Sequence, residues 1–123
     1  HYIGSAGGQT LTVTSTFTVG DGTNAVTVDA VTQDPTIDLN GDLTIASNGT
    51  FSASNSGTFT LAGDMTNNGT FTHNSGTLTI DGTTTSTFDG SGNPAITFNN
   101  LTISTDNNER YCWRSKFGSI IKQ

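Results

Sequence analysis

GDLTIASNGTFSASNSGTFTLA, residues 41–62, is followed at once by GDMTNNGTFTHNSGTLTIDG, residues 63–82, which repeats it with two residues removed. Both stretches begin Gly-Asp-apolar-Thr, both contain Asn-Gly-Thr-Phe, and both continue through Ser-Gly-Thr-apolar-Thr-apolar. A repeat of about 20 residues is too short to bury its own apolar face, so it must stack on copies of itself. The pair therefore predicts a β-solenoid.

Weaker copies of the repeat lie on both sides of the central pair. Residues 14–17 (TSTF) recur as residues 85–88, and each copy is followed by a turn and an apolar-Thr-apolar strand, at residues 26–28 and 96–98. Residues 101–103 (LTI) resemble residues 43–45 and so would open one more coil. We expect an all-β parallel β-helix of about five coils of roughly 20 residues over residues 9–105.

Alternation of apolar residues with threonine supports the strand prediction. Over residues 10–19, Leu11, Val13, Phe17 and Val19 share one face and threonines occupy the other. A period of two is typical of a half-buried β-strand. Threonine, which is β-branched and suits a pleated surface, occurs 25 times in the chain. Apolar side chains should therefore point into each coil and threonines should point out.

Asn-Gly and Asp-Gly pairs separate the predicted strands. They occur at residues 21–22, 40–41, 48–49, 68–69, 81–82 and 89–90. We expect these glycines to serve turns that need a positive φ. The same pairs suit tight antiparallel hairpins, so an antiparallel β-sandwich remains the alternative fold. Only coil stacking, however, requires successive segments to match position by position.

The charges are divided sharply along the chain. Residues 1–109 contain all ten acidic residues and no Lys or Arg. A body this acidic repels nucleic-acid backbones, so we expect no nucleic-acid partner. We expect no transmembrane segment either, because no long apolar run occurs.

The C-terminal segment differs in composition from the rest. We divide the chain into a solenoid domain, residues 1–105, and a basic and aromatic tail, residues 106–123, which holds the only Cys and the only Trp. The tail could cap an open solenoid end, drive assembly with a neighbouring subunit, or be non-native sequence. Its candidate capping or assembly residues are Arg110, Tyr111, Trp113, Arg114, Phe117, Ile120 and Ile121.

The central pair, together with FNNLTIS at residues 98–104, resembles the Thr/Asn/Gly-rich repeats of bacterial surface β-solenoid proteins. These are filamentous-haemagglutinin-like adhesins, autotransporter passengers and giant repeat adhesins. The resemblance implies a right-handed β-helical stalk or fibre subunit, extracellular or at the cell surface. It implies a structural or adhesive role without catalytic residues or cofactor. The expected partners are other copies of the chain, able to assemble end to end, or adjoining repeats.

A second hypothesis assigns a binding function to outward threonines. Regular ranks of Thr-x-Thr on a flat sheet could bind ice, or a surface glycan. The candidate residues are Thr58, Thr60, Thr70, Thr72, Thr77 and Thr79. These pairs follow two different turns of the repeat, and outward threonine is common on any solvated strand. Ordinary solvent-facing strands are therefore the simpler interpretation.

Metal binding and catalysis find little support in the sequence. Asp21, Asn24, Asp89 and Asn93 lie in Gly-rich turns and could offer oxygens to calcium, but their spacing matches no calcium loop. Such residues in turns mostly bond their own backbone. We expect no metal, no cofactor and no enzymatic activity, because the body lacks the basic side chains that line a carbohydrate-cleaving groove. We expect His73, whose repeat equivalent is Ala53, to be packed inside the coil.

Overall fold

The computed structural model describes residues 8–90 and 96–104 in full and the backbone of residues 112–114. Within these residues the chain forms thirteen β-strands and no helix. The strands are β1 (Thr10–Val13), β2 (Phe17–Val19), β3 (Val26–Asp29), β4 (Thr36–Leu39), β5 (Leu43–Ile45), β6 (Gly49–Ser52), β7 (Thr58–Leu61), β8 (Met65–Asn67), β9 (Thr70–Thr72), β10 (Thr77–Ile80), β11 (Thr87–Asp89), β12 (Asn100–Ile103) and β13 (Cys112–Arg114).

The strands form three parallel sheets that run along the molecule. Sheet one has the order β1-β4-β7-β10-β12, sheet two β2-β5-β8-β11-β13 and sheet three β3-β6-β9. Each of the first three coils contributes one strand to each sheet before the chain climbs to the next coil, and β10 to β13 continue sheets one and two. The described residues complete about four turns. Every pairing among the described strands is parallel. The predicted β-solenoid is confirmed, and the antiparallel sandwich is wrong. Its right-handed winding stays a prediction.

The central repeat stacks as the sequence predicts. Leu43 pairs with Met65 in sheet two, Phe51 pairs with Phe71 in sheet three, and Phe59 pairs with Leu78 in sheet one. The second copy is shorter at its corners, where the chain passes between sheets. The corresponding corners of the first copy are residues 46–48 and 53–57. The strands therefore keep their register although the coils differ in length.

The outer repeats are placed partly as predicted. Phe17 and Phe88 occupy the same column of sheet two, through Leu43 and Met65. The prediction that Leu101-Thr102-Ile103 corresponds to residues 43–45 is wrong, since Leu101 pairs with Leu78 in sheet one. Both segments read Leu-Thr-Ile, so alternation alone could not tell one sheet from the other.

The alternating segment at residues 10–19 forms two strands and not one. β1 belongs to sheet one and β2 to sheet two, and residues 14–16 make the corner between them. The corner spans an odd number of residues, so Val13 and Phe17 both still pack against the core. The period of two in the sequence continues through this corner, so the sequence pattern did not reveal the bend between β1 and β2.

The core is a narrow apolar column between the three sheets. In the middle coils its members are fully buried, as Ile37, Leu61 and Ile80 show at 0% exposure. Aromatic rings fill the space between the sheets: Phe51 lies 5.7 Å from Phe17, 5.9 Å from Phe59 and 5.9 Å from Phe71, centroid to centroid. Each coil therefore buries the apolar surface of its neighbours, as a repeat too small for its own core must do.

Most of the turn glycines serve close packing and not a positive φ. Among the described Asn-Gly and Asp-Gly pairs only Gly22 has a positive φ, of 80°. A Cβ on Gly69 would lie 2.3 Å from the carbonyl oxygens of Ala46 and Gly49, and a Cβ on Gly82 would lie 2.0 Å from that of Ala62. These glycines are required because the coil below leaves no room for a side chain.

Polar corner side chains bind the backbone of the adjacent coil. The Asp42 carboxylate accepts a hydrogen bond from the Asp64 amide (2.9 Å), and the Asp64 carboxylate accepts one from the Thr87 amide (2.7 Å). Asn74 Nδ2 donates to the Ala53 carbonyl at 2.6 Å. Corner amides and carbonyls that lack a ladder partner are satisfied in this way.

Candidate functional site

The outward side of sheet one carries the most regular array of polar side chains in the described residues. Its two outward columns come from strands in register, so side chains in one column project from neighbouring strands. We call these ten positions the threonine face. They are Thr10, Thr36, Thr58, Thr77 and Asn100 in one column, and Thr12, Asp38, Thr60, Thr79 and Thr102 in the other.

Four of the six predicted threonines belong to this face. Thr58 and Thr60 on β7 stack in register on Thr77 and Thr79 of β10. The other two predicted residues, Thr70 and Thr72, are exposed on β9 and lie on sheet three. The structure therefore divides the predicted set between two faces, and gathers one part of it into a continuous array.

Sequence reasoning missed four threonines of this face: Thr10, Thr12, Thr36 and Thr102. The signal was present, because β1 reads TLTV, β4 TIDL, β7 TFTL, β10 TLTI and β12 NLTI. Recognising it required the sheet assignment of each strand. The two weakest repeats, at the ends of the chain, did not reveal that assignment.

The spacing of the threonine face is set by the sheet. Parallel strands lie about 4.8 Å apart, and alternate residues on one strand lie about 6.6 Å apart. Each threonine presents one hydroxyl and one methyl group at these intervals. Eight of the ten positions are threonine, so the face is a nearly uncharged grid on an otherwise acidic body.

Asp38 interrupts the grid. Its Oδ1 accepts a hydrogen bond from the Thr60 hydroxyl at 3.1 Å. Burial raises the pKa of nearby Asp81, and the negative charge of Asp38 raises that pKa further. One edge of the face therefore carries the negative charge of Asp38.

The predicted calcium-type turns do not come together. The Asp21 carboxylate accepts hydrogen bonds from the Thr23 and Asn24 amides, both at 2.8 Å, and from Asn24 Nδ2. These bonds lower the pKa of Asp21 to about 2. Asp89 lies on β11, three strands away across sheet two, and Asn93 lies outside the described residues. In the part of the chain that the structure describes, no three His, Cys, Asp or Glu residues are grouped to hold a metal ion.

His73 is packed inside the coil, and its place above Ala53 follows from the pairing of the preceding residues, Thr72 and Ser52. Its side chain is 4% exposed and stacks on Phe59, with centroids 6.2 Å apart and an interplanar angle of 16°. Neither ring nitrogen has a hydrogen-bond partner, and burial lowers the pKa of the imidazole. His73 is thus a neutral member of the aromatic core.

Two of the predicted tail residues lie on a described strand. Trp113 and Arg114 belong to β13, where they pair with Phe88 and Asp89 of β11. Sheet two therefore gains a fifth strand from beyond residue 105. The other tail candidates, Arg110, Tyr111, Phe117, Ile120 and Ile121, lie outside the described residues.

A search of the described residues for a helix long and apolar enough to cross a membrane finds none.

A scan against protein-family models found no match, and searches of curated proteins and of solved structures found no significant similarity.

Proposed function

We propose that this chain is a structural segment of an extracellular stalk or fibre, of the kind found in bacterial surface adhesins. The observation that carries the proposal is the in-register stack itself, in which three sheets continue from coil to coil over a fully buried core. Five strands in sheet one extend the molecule by about 19 Å along the stack, so added coils would lengthen it in proportion. Such a rod projects or spaces other groups without needing a reaction or a cofactor.

The surface composition supports a place outside the cell. Outward threonines occupy all three sheets, with Thr18, Thr44 and Thr66 on sheet two and Thr27, Thr50 and Thr70 on sheet three. Uncharged hydroxyl surfaces disfavour binding to nucleic acids and to anionic lipids, and residues 1–109 contain no Lys or Arg. This matches the repeats of exported surface proteins that the sequence resembles.

Immunogold microscopy of intact source cells tests this proposal. Antibodies raised against the purified chain should label surface fibres or the outer cell boundary without permeabilisation. Labelling only after permeabilisation would contradict the proposal. Antibodies preabsorbed with the purified chain are the control.

As a second candidate function, we propose that the threonine face binds ice. The specific observation is the two-column register of sheet one, in which the pairs Thr58/Thr60 and Thr77/Thr79 share one face, although Thr70 and Thr72 lie on sheet three. Hydroxyl and methyl groups about 4.8 Å apart across strands and about 6.6 Å apart along them can order water in a lattice comparable to ice. A glycan is the weaker ligand, since the ten positions include no aromatic side chain for a sugar ring to stack on.

Ice-affinity partitioning and thermal hysteresis test the second function with a matched pair of variants. Thr79 and Thr66 are both half-buried outward threonines at the middle of their strands, on sheets one and two. Thr79→Lys should abolish partitioning into ice, and Thr66→Lys should leave it intact. A wild-type chain with no hysteresis, or equal losses in both variants, would exclude this function.

A further inference from the structure

The two ends of sheet one carry the same strand pattern. β1 reads Thr10-Leu11-Thr12-Val13 and β12 reads Asn100-Leu101-Thr102-Ile103. Each is an edge strand of sheet one, β1 at the N-terminal end of the stack and β12 at the C-terminal end. Because β1 and β12 are the two outermost strands of the sheet, their free edges face in opposite directions along the stack.

The C-terminal end leaves its apolar column uncovered. Leu101 is 41% exposed and Ile103 is 36% exposed, whereas Leu78 and Ile80, their partners one coil below, are 0% exposed. At the N-terminal end, Leu11 and Val13 occupy the same two columns and are only half-buried. At both ends of the described stack the same two apolar columns are therefore more exposed than in the middle coils.

We propose that a second copy of this chain covers the C-terminal end, with its β1 adding in parallel to β12 of the first copy. In this register Leu11 of one copy covers Leu101 of the other, and Val13 covers Ile103, as Leu78 covers Phe59 within the chain. The partner is a second copy because its β1 continues both the backbone ladder and the apolar columns. Neither strand carries a charge that would have to be buried.

Sheet two is compatible with the same register. Its C-terminal edge strand is β13, in which Trp113 occupies the column of Phe88, Met65, Leu43 and Phe17. A second copy placed by the β1–β12 pairing brings its β2 to the free edge of β13. Two sheets therefore continue across one junction without a change of register.

The contact is head-to-tail and does not close into a ring, so repeated contacts of this kind generate a filament. The junction deepens the fibre role proposed above, since it names the partner and the strands that meet. Each copy has an acidic body, so neighbouring copies repel each other electrostatically, and salt screens this repulsion. Filaments should therefore form more readily as ionic strength rises.

Disulfide trapping tests the junction. Thr12 and Thr102 are outward residues at the same place on the two edge strands, so the proposed pairing brings their Cα atoms to about 4.8 Å, within the range that a disulfide spans. In a Cys112→Ser background, Thr12→Cys combined with Thr102→Cys should give a ladder of covalent oligomers on oxidation. The matched control combines Thr44→Cys, in the middle of the stack, with Thr102→Cys and should give no ladder.

Negative-stain microscopy and sedimentation of the unmodified chain provide a second readout, which does not depend on the cysteine variants. Filaments that shorten when Leu101 is changed to Lys, but persist with Thr66→Lys, support the junction. A chain that stays monomeric at high salt, or an equal ladder from the Thr44 control, overturns it. A monomeric chain that still labels the cell surface would overturn the junction and leave the stalk role standing.

Discussion

Phe71 stacks on Phe51 one coil below it, in register on adjacent parallel strands, with ring centroids 5.9 Å apart and tilted by 44°. The stack continues to Phe98, whose ring centroid lies 6.0 Å from that of Phe71 although no described strand of sheet three passes through it. Like residues stand over like residues because each coil must fill the same space above its neighbour. The aromatic column therefore joins successive coils in addition to the strand ladders.

Phe51→Ala should destabilise the chain by about 3–5 kcal/mol, the usual cost of removing a fully buried ring. Phe51 is 0% exposed and contacts the rings of Phe17, Phe59 and Phe71. Urea denaturation followed by circular dichroism measures the loss. Phe17→Ala, at a half-buried position in the first coil, is the control and should cost less. Equal losses would mean that the coils do not share a continuous core.

Gly69→Ala should cost about 2–3 kcal/mol through overpacking, because its Cβ would lie 2.3 Å from two carbonyl oxygens of the coil below. Gly90→Ala is the matched control, since its nearest neighbour is the Ile96 side chain at 3.3 Å, which can shift. That variant should cost less than about 1 kcal/mol. Chemical denaturation compares the two. A tolerated Gly69→Ala would show that the coils are not this closely stacked.

The unfolding free energy should fall as the pH is lowered below the normal His73 pKa. Burial holds the pKa of His73 in the folded chain below its usual value of 6.5, so the unfolded chain takes up the proton first. The contribution of neutral His73 is complete above pH 6.5 and is lost as the pH falls from there to the folded-state pKa. Phe59, Phe71 and Phe98 surround the ring, and no carboxylate is among these contacts.

His73→Phe keeps an aromatic ring in this stack and removes the titrating group. Urea midpoints measured from about pH 8 to about pH 5 should fall more steeply for the wild type than for this variant. Parallel curves for the two proteins would contradict the assignment. The carboxylates titrate in both proteins, so their contribution cancels in the difference.

Asp42→Ala should destabilise the chain by about 0.5–1.5 kcal/mol, because the Asp64 amide loses its hydrogen-bond acceptor. Asp42→Asn keeps a side-chain oxygen at the same place and should remain close to the wild type. Thermal unfolding of both variants at one pH provides the comparison. If both variants lose the same stability, the charge of Asp42 and not its hydrogen bond is what matters.

The sequence predicted the strands and the central register well, because apolar-threonine alternation and the repeated Gly-Asp and Asn-Gly pairs are local signals. It did not predict which sheet Leu101 joins, since Leu-Thr-Ile fits an inward-outward-inward strand on any side of the coil. It also could not show why Gly41, Gly69 and Gly82 are glycines. Their neighbours are carbonyls of the preceding coil, and that contact exists only after stacking.

The threonine face, too, could be predicted only in part from the sequence. Alternation predicted that threonines point outward, and the repeat correctly aligned Thr58 with Thr77 and Thr60 with Thr79. The repeat also places Thr70 and Thr72 after a different turn from the other two pairs, and in the structure they lie on sheet three. The extension of the face to Thr10 and Thr102 depends on the end coils, whose sequences have diverged furthest from the central repeat.

Nuclear Overhauser contacts between β6 and β9 test the central claim most directly. The in-register parallel stack predicts contacts between the backbone protons of Phe51 and Phe71 in the pattern of a parallel pair, together with contacts between their rings. Short Hα–Hα contacts of an antiparallel pair, or no contact between these two residues, would contradict the solenoid.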